Sequence, residues 1–149
     1  MCYIVYISTD SDEDLAIRNS DLVRFKKVVD ESIDPSIGLL EFSNKWYVGS
    51  KSECSCTFRH LTSIELGFSE PQDWSKEEQD EIDATLELYE VLYELFSQGY
   101  KLDMIDRWVD SKREDLKIID VSLDSVPKKT FRLFENHKFR FKKKNCNNT

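Results

Sequence analysis

Two thiols and an imidazole fall within seven positions of one another: Cys54, Cys56 and His60. Zinc takes four soft or borderline ligands in a tetrahedron, and Cys-x-Cys followed by a histidine supplies three of them. Cys2, in the apolar run that opens the chain, would be the fourth, with Cys146 as a substitute. The spacing is not that of two paired Cys-x2-Cys knuckles. On an extended segment residues 54 and 56 also point the same way, where two small side chains serve a core. The sequence thus offers core cysteines and no cofactor, the reading its spacing favours, or a zinc or thiol centre on Cys54, Cys56, His60 and Cys2.

Other residues suggest binding. Arg59 beside His60 could hold an anion, and Trp46 and Trp74 could line a pocket with it. Asp10, Asp12 and Asp14 alternate like the first ligands of a calcium loop. Leu15 stands where the loop needs glycine, and Asp21 takes the twelfth position in place of a bidentate glutamate, which favours a solvated acidic loop. Lys138, Arg140 and Lys142 to Lys144 interleave with Phe139 and Phe141, which reads as a half-buried strand with lysines guarding its edge.

An N-terminal cysteine can act as a nucleophile with its own amine as base. Over those few residues, Met-Cys followed by an apolar strand, the chain is similar to class II glutamine amidotransferases. It lacks the Gly-rich, oxyanion-forming segments they use.

The elements that must position these residues follow from periodicity. Tyr3 to Ser8 predicts a buried strand, and Asp21 to Val29 a second, less regular one. Asp34-Pro35-Ser36 is a turn, with short strands predicted at Leu39 to Phe42 and Lys45 to Val48, and an extended stretch at Cys54 to Arg59. Ser75 with Glu78 forms a capping-box pattern, acids crowd the turns that follow, and Gly99 stands where a left-handed cap belongs. A helix over about 75–98 is predicted, with Ile82, Leu86, Tyr89, Tyr93 and Phe96 on one face and Leu88, Leu92 and Leu95 widening it. Strands follow at Lys101 to Val109 and Lys117 to Asp124, then a hairpin of Thr130 to Phe134 and Lys138 to Phe141. Strands, long helix, strands is an α+β order: a largely antiparallel sheet with the helix packed on one face.

The chain has 149 residues, and its 34% of charged residues exceeds the usual quarter or so. Residues 1–144 read as one domain and 145–149 as a disordered tail. No apolar run approaches the roughly 20 residues of a membrane span, and acids follow the opening apolar run at once, unlike a secretory leader. A cytoplasmic, reducing location without a disulfide framework is expected. The net charge of −8 is uneven: Glu70 to Leu95 holds ten acids and one base, whereas Val126 to the end holds eight bases and one acid. Such acidity disfavours nucleic acid, which is bound through clustered Lys and Arg. The expectation is a small acidic interaction or accessory protein, not an enzyme. Its helix would meet a basic protein partner or a second copy. The alternative is the metal- or thiol-dependent centre.

Overall fold

The apolar run that opens the chain is the middle of the sheet. Its β-branched and aromatic residues suit a strand buried on both faces, and β1 (Tyr3–Thr9) pairs antiparallel with β3 (Asn44–Ser50) on one side and β5 (Leu102–Trp108) on the other. The computed structural model describes residues 3–50, 54–61, 68, 78–112 and 115–142. Among these, β2 (Val23–Lys27) lies outside β3, while β8 (His137–Phe141) and then β6 (Lys117–Val121) extend the sheet beyond β5. All neighbours are antiparallel except β6 and β8. Two short strands, β4 (His60–Leu61) and β7 (Leu133–Phe134), form a separate parallel ladder. The chain is α+β, with one α-helix among the described residues, α1 (Gln79–Ser97), against this open six-stranded sheet.

Strand alternation divides the sheet into two faces. Val5, Ile7, Val23, Phe25, Val48, Met104 and Phe139 form the main core with Leu88, Leu92 and Leu95 of α1. Tyr6, Ile37, Leu40 and Ile105 form a smaller cluster on the other side, covered by a 3-10 turn at Pro35–Leu39. No helix among the described residues is long and apolar enough to cross a membrane.

Several elements differ from the sequence expectation. The helix begins at Gln79, with the capping box on Glu78 and Glu81 instead of Ser75 and Glu78; Ser75 itself lies outside the described residues. Its C-terminus is as expected. Gly99 has φ +93°, Tyr100 N–H bonds the Leu95 carbonyl and Gly99 N–H that of Phe96, which is a Schellman motif. The buried stripe is rotated from the expected one: it runs through Ala84, Thr85, Leu88, Tyr89, Leu92, Leu95 and Phe96, leaving Tyr93 at the surface.

Leu39 to Phe42 is no strand. Pro35 starts a 3-10 turn capped by Asp34, and the N–H groups of Glu41 and Phe42 then bond Asp103 (2.8 Å) and Ser8 (3.1 Å) side chains. The expected hairpin of residues 130–141 does not close on itself, because β7 pairs with β4 and only β8 joins the large sheet. The strand from Lys117 stops at Val121, and Leu123–Ser125 turns away as 3-10 helix.

Candidate functional site

The segment carrying Cys54, Cys56 and His60 is a tight turn leading into β4, not the extended stretch expected. Its anchor is the residue between the cysteines. Ser55 Oγ accepts the Val5 N–H (3.1 Å) and donates to the Val48 carbonyl (2.6 Å), tying the turn to β1 and β3. Ser50 secures the other end, its N–H and hydroxyl both donating to the Cys54 carbonyl at 2.7 and 2.6 Å. Both cysteine side chains are partly buried.

From this turn His60 points into the protein, its side chain 3% exposed. Nδ1 lies 2.8 Å from Asp106 Oδ2, and Nε2 lies 2.6 Å from the Ser55 carbonyl. A carbonyl only accepts, so Nε2 carries a hydrogen. Nδ1 and the carboxylate therefore share one further proton between them. Burial would push the imidazole pKa down, but the Asp106 charge and hydrogen bond outweigh it and His60 is raised. Asp106 is raised as well, because its burial outweighs the pull of His60. Tyr3 stacks on the ring with centroids 3.8 Å apart and donates its hydroxyl to Glu135 (2.9 Å). Burial and then Glu135 push the Tyr3 phenol well above its ordinary range. Asp106 Oδ1 is buried without a hydrogen-bond partner.

This network leaves no ring nitrogen of His60 open to a substrate or a metal. Among the described residues no group of three His, Cys, Asp or Glu is placed to hold a metal ion. Cys2 and Trp74 lie outside the described residues. Arg59 is buried at 2% exposure; its N–H bonds Thr85 Oγ1 (2.9 Å) and its guanidinium donates to the Lys129 carbonyl (2.7 Å), so it ties residues 129–131 to α1. Trp46 is buried in the main core with the Lys27 ammonium 4.9 Å above its ring. Asp10, Asp12 and Asp14 turn apart, to the Lys101 N–H, the Asn44 amide and the Ala16 N–H. Lys138 pairs with Glu41, and Arg140 and Lys142 with Asp120, so each of these cations meets a carboxylate.

What the molecule does present is a groove of about 590 Å³ between the C-terminal half of α1 and residues 123–128. Tyr89 fixes its geometry: the buried hydroxyl lies within 3.0 Å of both the Leu123 and Val126 carbonyls, holding that segment against the helix. Tyr93, 42% exposed, stacks on Tyr89 with centroids 5.8 Å apart. Glu90, Glu94 and Asp124 line the rim, and Val126 and Pro127 the far wall. Glu90 pairs with Lys128 and Glu94 with Arg18, both pairs at the surface. Along its length α1 carries six carboxylates and no basic residue.

No family model, curated protein or solved structure matches this chain.

Two features of the site were not read from the sequence but left signals in it. Asp106 shares the core-facing parity of Leu102, Met104 and Trp108 on β5. A carboxylate at such a position needs a partner, and His60 is one of only two histidines available. Tyr93 belongs to the apolar stripe on spacing alone, and only the rotation of α1 on the sheet turns it outward.

Proposed function

We propose that this domain is a non-catalytic binding module whose tyrosine-lined, acidic groove receives a lysine- or arginine-rich segment of a partner protein. The observation that carries the reading is the exposed Tyr93 ring seated on Tyr89 between Glu90, Glu94 and Asp124. An ammonium or guanidinium over a tyrosine face gains about 0.5–1 kcal/mol at an exposed site and more where water is excluded. The carboxylates add attraction that speeds encounter and rejects acidic competitors. Surface pairs such as Glu90 with Lys128 contribute roughly 0–1 kcal/mol, so a basic ligand can exchange with them. The engagement of both His60 nitrogens argues against acid–base catalysis through that residue.

The test is fluorescence anisotropy with a labelled ten-residue peptide of alternating lysine and arginine around two leucines. Saturable binding that weakens with salt and with Tyr93→Ala is expected. Binding indifferent to Tyr93→Ala would place the contact elsewhere. Stoichiometric zinc in protein purified without chelator would overturn the non-catalytic reading in favour of the cysteine centre.

A further inference from the structure

On the opposite face of the sheet lies a second groove, of about 600 Å³. Its floor is Tyr6 and Tyr47, packed edge to face with centroids 5.8 Å apart. One wall is the segment leaving β2, where Val29 is 93% and Ile33 68% exposed. Arg24 and Lys26 stand on the β2 side, both exposed. Seven cations of this acidic chain, Arg18, Lys45, Arg107, Lys128, Lys138, Arg140 and Lys142, each reach a carboxylate. Among the described residues Arg24 and Lys26 reach none, although acids outnumber bases by eight in the whole chain. Three cations, Arg24, Lys26 and Lys27, against the one carboxylate Asp30, beside an aromatic floor and an exposed aliphatic wall, make a patch of opposite character to the α1 groove.

We infer that this second groove is a docking surface for an acidic peptide segment of a partner protein, one that alternates aliphatic or aromatic side chains with Asp or Glu. The aliphatic wall gives apolar side chains a place to bury, and the cations Arg24 and Lys26 meet the acids between them. A nucleic acid suits the groove less, because Val29 and Ile33 offer nothing to phosphate and the net charge repels a polyanion. Since the two grooves lie on opposite faces of the sheet, the domain would hold a basic segment on one side and an acidic one on the other. This inference does not depend on the α1 groove being occupied.

The probe is a fluorescein-labelled twelve-residue peptide alternating Leu or Phe with Glu, titrated with the intact protein at low and moderate salt. Saturable binding is expected, weakened about tenfold, or about 1.4 kcal/mol, by the double change Arg24→Glu and Lys26→Glu. Weakening is also expected from Val29→Asp, and none from Tyr93→Ala. All four altered positions are exposed, and circular dichroism of the variants confirms that they fold. The inference is overturned if no saturable binding is seen, or if the charge reversals leave it unchanged. It is also overturned if a thymidine decamer binds as tightly, or if light scattering shows self-association abolished by the reversals, which would make a second copy the occupant.

Discussion

Replacing Asp106 by asparagine tests the buried His60 network without emptying it. Asparagine keeps the shape of aspartate, and its amide can donate to His60 Nδ1 while Nε2–H continues to bond the Ser55 carbonyl, 2.6 Å away in the wild type. Asp106→Asn therefore trades a pair that shares a proton for a neutral hydrogen bond, and the expected cost is about 1 kcal/mol. His60→Ala does the opposite. It leaves Asp106, already with one orphaned oxygen, with no partner on either, and removes the ring on which Tyr3 stacks. Breaking a buried pair from one side costs about 3–5 kcal/mol. Against the roughly 5–15 kcal/mol that holds a domain folded, that is a large fraction.

The two forms also differ in how stability follows pH. Asp106, opposing the effect of burial, raises the His60 pKa in the folded state. The pair's contribution is then complete below the unfolded histidine value of about 6.5 and is lost as pH rises through the folded one. The raised Asp106 carboxyl acts in the same direction. Asp106→Asn removes the charge and hydrogen bond that chiefly oppose burial and leaves the lesser pull of the Ser55 carbonyl and Glu81, so burial draws the imidazole pKa down and the variant loses stability as pH falls below about 6.5. The advantage of the wild type over the variant should shrink steadily between pH 5.5 and 9. Urea unfolding followed by tryptophan fluorescence at four pH values measures it. Parallel pH profiles, or an Asp106→Asn variant as unstable as His60→Ala, would refute the shared-proton pair.

Two further outcomes are expected from local structure. Tyr89→Phe removes the hydroxyl that holds the Leu123 and Val126 carbonyls, costing about 1–2 kcal/mol in urea unfolding and weakening basic-peptide binding by loosening the groove wall. Gly99→Ala meets no atom within 4 Å, so its cost, about 1 kcal/mol in thermal unfolding, comes only from holding a Cβ-bearing residue at φ +93°.

The parts of this fold legible in the sequence are those set by near neighbours. Gly99 announces the end of α1 because the cap is decided within six residues. The two faces of β5 are legible because alternation has a period of two. Features decided across the chain were not legible. The His60–Asp106 bond spans 46 positions, and β7, which reads as half of a local hairpin, pairs instead with the distant β4. The capping box appears one turn early because Glu78 can serve as the last residue of one box or the first of the next. Leu39 to Phe42 reads as a strand since a short apolar run has no period to judge by, while its N–H groups are taken by Ser8 and Asp103 from distant strands. Cys54 and Cys56 invite a metal reading because sequence shows their spacing but not Ser55, whose hydroxyl decides where the turn sits.

The proposed function rests on the groove beside Tyr93. Its most direct test is the affinity of the lysine–arginine peptide for the wild type, for Tyr93→Ala and for Asp124→Lys, measured by anisotropy at two salt concentrations. Saturable binding is predicted for the wild type, weakened at least threefold, or by about 0.65 kcal/mol, in each variant and reduced by salt. Equal affinity in all three proteins would contradict it.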